Sequence, residues 1–87
     1  MKYVVIKNSV GRHAVLFGGT LSHADVAYGL KQAVGGEAVS AGFCDLEEST
    51  DSWENRYKVQ AWGKSTSLGL GSSPEDVRDI MFAVNQR

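Results

Sequence analysis

The sequence predicts a single α+β domain in which an antiparallel-rich sheet of about five strands carries two helices on one face, a two-layer arrangement. The chain has 87 residues, which fits one domain. Short β-type runs alternate with two amphipathic stretches in the order β-β-α-β-β-β-α. Because two helices are too few to cover both faces of such a sheet, the other face is expected to be partly exposed.

The chain opens with two β-type runs, residues 3–7 and 13–17, which are rich in Val, Ile, Leu and aromatic residues. Between them lies a polar turn in which Gly11 can adopt a positive φ. Two such runs joined by a short turn predict an antiparallel hairpin.

The first helix is predicted to begin at Ser22, a good N-cap, with Asp25 near the partially positive helix end. Residues 35–36, both glycine, supply the stop. Gly29 in the helix interior is expected to allow close packing on the sheet. One apolar face recurs at helical spacing: Val26, Leu30 and Val34, broadened by Ala27 and Ala33.

Three further strands are expected at residues 38–46, 56–62 and 66–70. The first of them is apolar on both faces, which suits a central position. The last contains glycines and is expected to be weak. A second helix follows Ser73 as N-cap and Pro74 at its first position. Its predicted apolar stripe consists of Val77, Ile80, Met81 and Val84.

Composition excludes several classes of protein. The chain is 43% hydrophobic with a net charge of −1, which excludes intrinsic disorder and disfavours a dedicated nucleic-acid binder. One cysteine excludes a disulfide framework and a multi-cysteine zinc site. The apolar run at residues 3–6 is shorter than the about 7–15 residues of a signal peptide core. We therefore expect a cytoplasmic protein without membrane attachment.

Charge is strongly segregated in the second half of the chain. Residues 45–54 contain five carboxylates and no Lys or Arg, whereas residues 56–64 contain three positive charges and no negative one. The pattern is that of a solvated hairpin loop, or of a docking surface for a basic protein patch. Trp53 within the acidic stretch favours docking, since Trp is frequent at interface hot spots. The candidate partner-binding residues are Asp45, Glu47, Glu48, Asp51, Trp53, Glu54 and Trp62.

Other chemistry finds less support in the sequence. The acidic spacing does not match a calcium-binding loop, so no metal or other cofactor is expected. A third alternative is a small enzyme that uses Cys44 with His13 or His23, but Cys44 lies in an apolar strand where cysteine usually acts as a small hydrophobe. No catalytic residues are therefore assigned.

Five segments of the chain carry a resemblance to known proteins: residues 14–17 (AVLF), 22–27 (SHADVA), 39–44 (VSAGFC), 62–70 (WGKSTSLGL) and 73–76 (SPED). In these segments the chain resembles a group of small proteins encoded by bacteriophages and prophages of proteobacteria. The acidic stretch at residues 47–55 falls outside the resemblance. The resemblance implies a setting in the bacterial host cytoplasm and carries over no site residue.

These observations together predict a non-enzymatic, phage-derived interaction protein. It would bind, and inhibit, a host bacterial protein with a basic patch, such as a defence factor, through the acidic hairpin loop and the open sheet face. The alternative is a self-associating structural or accessory phage protein, a homodimer joined through the open face or a strand edge.

Overall fold

The computed structural model describes residues 1–48 and 57–85. Within these residues, two helices and six strands follow one another in the order β-β-α-β-β-β-β-α. The elements are β1 (Lys2–Asn8), β2 (Gly11–Phe17), α1 (His23–Val34), β3 (Glu37–Glu48), β4 (Tyr57–Trp62), β5 (Lys64–Ser65), β6 (Leu70–Gly71) and α2 (Asp76–Asn85).

The four longer strands form one antiparallel sheet in the spatial order β2-β1-β3-β4. β1 and β3 are therefore central, which confirms the central position predicted for the strand that is apolar on both faces. A β-bulge interrupts the pairing of β1 with β3, because Val5 is opposite Ser40 whereas Ile6 is opposite Ala38. The α+β class and the antiparallel hairpin at the start of the chain are also confirmed.

The helices lie on opposite faces of the sheet, so the prediction from the sequence that both lie on one face is wrong. Successive side chains of a strand point to opposite faces. Tyr3 and Val5 of β1 pack with Ile80 of α2, whereas Val4 and Ile6 pack with Ala27 of α1. We refer to these two sides as the α2 face and the α1 face. These four residues in the middle of β1 are at most 1% exposed, because a helix covers each side of this strand.

Local signals at α1 are confirmed at both ends. The Ser22 hydroxyl accepts a hydrogen bond from the backbone N–H of Asp25 at 3.0 Å, and Gly35 ends the helix with a φ of 75°. The expectation that Gly29 packs closely on the sheet is wrong, however. A Cβ atom at Gly29 would meet nothing within 4 Å, so this glycine lies on the solvent side of the helix.

The predicted strand at residues 66–70 is replaced by a small hairpin. β5 and β6 pair with each other, Lys64 opposite Gly71 and Ser65 opposite Leu70, around a turn at residues 66–69. Gly69 has a φ of 68°, a left-handed conformation that glycine adopts readily and that interrupts an extended strand. Leu68 and Leu70 pack against the buried cluster on the α1 face, so this hairpin extends the cover that α1 provides.

The second helix begins at Asp76, two residues later than the Pro74 start that its local signals predict. Ile80 is fully buried and Val84 packs beside it, as the predicted stripe requires, but Met81 of the same stripe is exposed. Among residues 1–48 and 57–85, no helix combines the length and the apolar character that are needed to cross a bilayer.

Candidate binding surface

A strip of the α1 face near the sheet edge is left uncovered by α1 and by the β5–β6 hairpin. Cys44 and Leu46 of β3 point to the α2 face, so the odd-numbered residues between and around them point to the α1 face. The strip consists of Phe43, Asp45 and Glu47 of β3 and Lys58, Gln60 and Trp62 of β4. We call it the outer strip. Phe43 is partly buried and the other five side chains are exposed.

The outer strip combines carboxylates with an exposed aromatic ring. Asp45 and Glu47 are two residues apart on one face of β3, a separation of about 7 Å along the strand. Across from them, Gln60 is opposite Asp45 and Lys58 is opposite Glu47. Trp62 is 45% exposed and opposite Phe43. Such an arrangement is able to accept hydrogen bonds from Lys or Arg of a partner beside an apolar contact.

The Phe43 end of the outer strip is held in place by contacts between aromatic rings. Phe43 stacks edge-on against the buried His23 ring at 5.6 Å between centroids, and His23 stacks in the same way on Phe17 at 5.4 Å. The His23 Nε2 atom is 2.8 Å from the Gly42 carbonyl oxygen. Because His23 is at the start of α1, these contacts hold the helix against the strand that carries the carboxylates.

Three of the seven predicted partner-binding residues come together on this surface, namely Asp45, Glu47 and Trp62. Glu48 is exposed but belongs to the opposite face, across from Tyr57. The acidic segment therefore begins within β3, which continues to Glu48, and not in a loop from residue 47 onward. The expected open sheet face is also smaller than predicted, because in the part of the chain that the structure describes a helix packs on each face of the sheet. Asp51, Trp53 and Glu54 lie outside the described residues.

A buried polar network, missed by sequence reasoning, lies on the other face around Asp76. This carboxylate is fully buried at the start of α2. It accepts hydrogen bonds from the Tyr3 hydroxyl at 2.5 Å, the Ser40 hydroxyl at 2.6 Å and the Ser73 backbone N–H at 2.8 Å. Arg12 of β2 completes the set with an Nη2–Oδ1 distance of 3.3 Å. Strands β1, β2 and β3 are thereby tied to one helix terminus.

Arg12 joins a second carboxylate to the same network. Its guanidinium lies 2.9 Å from the Asp79 carboxylate. The hydrogen bond to Asp79 raises the pKa of Arg12, with smaller contributions from the charges of the neighbouring carboxylates. Burial, followed by the hydrogen bond to Asp76, raises the pKa of Tyr3 well above its usual value. Every described buried polar side chain has a hydrogen-bond partner, so this network is structurally complete.

The sequence contains only a weak signal for this network. Asp76 has the position of an acidic residue in a first helical turn, which usually interacts with the helix dipole while exposed to solvent. Tyr3 and Ser40 lie in apolar runs, where a buried hydroxyl requires a partner. An Asp at a helix start together with hydroxyls on central strands is the pattern that identifies such a site, but the pairing spans up to 73 residues of sequence.

The side chains considered for nucleophilic catalysis are separated by the sheet. Cys44 is fully buried among the apolar residues of the α2 face, and burial raises the pKa of its thiol. His23 packs on the α1 face between two phenylalanine rings. His13 is exposed on β2, with Nε2 3.2 Å from the Asn8 side-chain oxygen. A Cys–His pair of the kind that activates a thiolate is therefore not assembled by Cys44 and these histidines.

Within residues 1–48 and 57–85, no group of three or more His, Cys, Asp or Glu side chains is placed so that it could hold a metal ion.

Comparisons with models of protein families, with curated proteins and with solved structures find no match to this chain.

Proposed function

We propose that this chain is a non-enzymatic interaction protein that binds a basic patch of another protein through the outer strip. The phage setting implied by the sequence resemblance makes a bacterial host protein in the cytoplasm, such as a defence factor, the expected partner. Binding would then inhibit that factor by covering its basic surface.

The observation that supports this function most directly is the exposure of Asp45, Glu47 and Trp62 on one face of adjacent strands. Carboxylates at the edge of an interface steer a basic partner and determine its orientation. An aromatic ring beside them supplies a contact of the type that dominates interface energies. The acidic residues that follow in sequence, Asp51 and Glu54, would add to the negative field.

The position of the strip on the sheet also supports a binding role. The opposite side of the same strands is packed, because Leu46, Val59 and Ala61 contact the cluster beneath α2. The five exposed side chains of the outer strip are therefore presented by a strand pair whose own packing does not depend on them. A rigid sheet presents charged groups with little ordering cost on association.

The test compares two double variants of equal charge on the same strand. Asp45→Asn with Glu47→Gln removes the carboxylates of the strip, whereas Glu37→Gln with Glu48→Gln removes two exposed carboxylates of β3 outside it. Proteins captured from a bacterial lysate by the wild type are identified by mass spectrometry and purified, and their affinities are then measured by titration at low and high salt.

We expect the strip variant to weaken binding about tenfold or more, and high salt to weaken wild-type binding, since screening reduces attraction between exposed charges. The Glu37/Glu48 variant should bind like the wild type. Trp62→Ala should also weaken binding, with an effect that does not depend on salt. Equal binding by the strip variant and its control would show that the outer strip is not the interaction surface.

A further inference from the structure

The edge strand β4 has a pattern of unpaired backbone groups that fits a second copy of the same strand. β4 is the last strand in the sheet order β2-β1-β3-β4. Among the described residues, no strand pairs with its outer edge. An edge strand of this kind presents a row of N–H and C=O groups that is able to pair with another chain.

One hydrogen bond and the register of β3 with β4 identify which β4 residues present these groups outward. The Cys44 N–H donates to the Met1 carbonyl, on the β1 side of β3. Cys44 and the opposite residue Ala61 therefore turn their backbone groups away from each other, as a non-hydrogen-bonded antiparallel pair does. Because the direction alternates along a strand, Val59 and Tyr57 also present their N–H and C=O groups to the outer edge.

One of these three outward positions is already occupied within the chain. The Asn85 side chain at the end of α2 accepts from the Tyr57 N–H at 2.8 Å and donates to the Tyr57 carbonyl at 3.4 Å. Its amide thus satisfies both outward groups of Tyr57, as a paired peptide group would. Beyond Trp62, Gly63 adopts a φ of 79° and ends the strand. Val59 and Ala61 remain as the positions with outward groups to pair.

We propose that β4 pairs with β4 of a second copy, antiparallel about a two-fold axis at Gln60, to form a continuous eight-stranded sheet. This register places Val59 opposite Ala61 of the partner and satisfies all the outward groups of both residues in both copies. A register centred on Val59 would require the backbone of Tyr57, which Asn85 occupies. A register centred on Ala61 would place Val59 opposite Gly63, whose carbonyl already accepts a hydrogen bond from the Ser72 N–H within the chain.

The side chains are complementary in the register centred on Gln60. On the α1 face, Lys58 lies opposite Trp62 of the partner, and Gln60 lies opposite its own copy. These are the non-hydrogen-bonded pairs, whose side chains approach each other more closely. A lysine against an indole ring gains cation–π attraction, and no two like charges are opposed. On the other face Val59 meets Ala61 of the partner, which joins two apolar side chains.

The pairing can be tested apart from the proposed partner binding, because it depends on backbone groups at the edge whereas partner binding depends on the carboxylates of β3. Trp62 contributes to both, so it is not varied here. The first test is sedimentation velocity of the wild type from about 5 to about 500 µM, a range over which mass action increases the dimer fraction. Gln60→Lys would oppose two like charges at the two-fold axis and should weaken dimerisation about tenfold or more. Thr20→Lys, an equal charge change in the exposed turn that follows β2, the strand at the opposite edge of the sheet, should not.

The second test is a cross-link at the axis. In Gln60→Cys the two introduced thiols lie on a non-hydrogen-bonded pair with Cα atoms about 4.5 Å apart, within disulfide range. In the control Asp45→Cys, one strand further in, the two copies lie about 14 Å apart. Mild oxidant should cross-link the first variant at least tenfold faster than the second. A wild type that is monomeric throughout, a dimer unaffected by Gln60→Lys, or equal cross-linking rates would each overturn the proposal.

Discussion

Replacement of Asp76 by Asn tests whether the buried network holds α2 on the sheet. The carboxylate accepts three hydrogen bonds, from Tyr3, Ser40 and Ser73, and interacts with the guanidinium of Arg12. Asparagine has nearly the same shape but only one acceptor oxygen, and its amide nitrogen is a donor. Part of the donor set around position 76 would therefore lose its partner within a fully buried site.

The expected loss is large for a chain of this size. Hydrogen bonds to a charged group contribute about 1.5–3 kcal/mol each, and removing one partner of a buried charged pair costs about 3–5 kcal/mol. A protein of 87 residues has a free energy of unfolding of about 4–13 kcal/mol in total. We therefore expect Asp76→Asn to remove about 3–5 kcal/mol, a large fraction of the stability.

Urea unfolding followed by circular dichroism measures this loss, with two variants as controls. Asp79→Asn removes a less buried carboxylate that contacts Arg12 at the protein surface, and should cost about 1 kcal/mol. Tyr3→Phe removes one donor and leaves the others, and should cost about 1–2 kcal/mol. The double variant of Tyr3 and Asp76 should lose less than the sum of the two single variants, since their hydroxyl and carboxylate interact directly. An Asp76→Asn variant no less stable than Asp79→Asn would refute this account of the network.

Three further predictions follow from the same structure. Gly29→Ala should stabilise the fold by about 0.5–1 kcal/mol, since this helix position is open. Gly36→Ala should destabilise the fold, because the φ of Gly36 is 95° and the new Cβ would overlap the Lys7 carbonyl. Urea midpoints that move in the opposite directions would contradict both expectations. Because the pKa of Tyr3 is raised, its contribution to stability is complete below the unfolded-state pKa of about 10 and falls above that pH by about 1.4 kcal/mol per pH unit. When the free energy of unfolding is measured at increasing alkaline pH, Tyr3→Phe should lack this decrease. Cys44 should react with a thiol reagent only at the rate of unfolding, because it is buried and the pKa of its thiol is raised; rapid labelling of the native protein would contradict its packing.

Local signals predicted the elements well because the groups involved are close in sequence. The cap at Ser22 and the stop at Gly35 each depend on residues within one turn of the helix. The central position of the third strand followed from apolar residues on both of its sides. The strand predicted at residues 66–70 was wrong for an equally local reason, since the positive φ of Gly69 makes a turn where spacing alone suggests a strand.

The placement of the helices was wrong although the sequence contained a signal for it. Tyr3 to Ile6 are four consecutive apolar residues, and all four are buried in β1. A strand that is apolar on both sides requires cover on both faces, so it indicates one helix on each. The number of helices suggested one covered face, but the pattern within β1 was the stronger indication.

Only part of the candidate surface was predictable. The segregation of charge identified Asp45, Glu47 and Trp62 as candidates, but not that they share a face. That outcome depends on the register of β3 with β4, in which Phe43 pairs with Trp62, and a shift by one residue would reverse the faces of β4. The contact of Arg12 with Asp76 joins residues that are 64 positions apart in the sequence. Patterns of neighbouring residues therefore do not predict this contact.

The exposure of the outer strip follows from how the two helices divide the sheet. α1 has 12 residues, and its contacts at His23 with Gly42 and at Val34 with Asn8 hold it over the centre of the sheet. α2 crosses the other face and packs on Leu46, Val59 and Ala61 through Ile80 and Val84. The edge strand is therefore held by α2 from one side, whereas among the described residues its side chains on the other side, Lys58, Gln60 and Trp62, are exposed. Because the packing of β4 comes from the α2 face, substitutions of Asp45 and Glu47 should change binding and leave the free energy of unfolding nearly unchanged. Substitutions of Val59 and Ala61 should do the reverse, which makes the two roles of this strand pair experimentally separable.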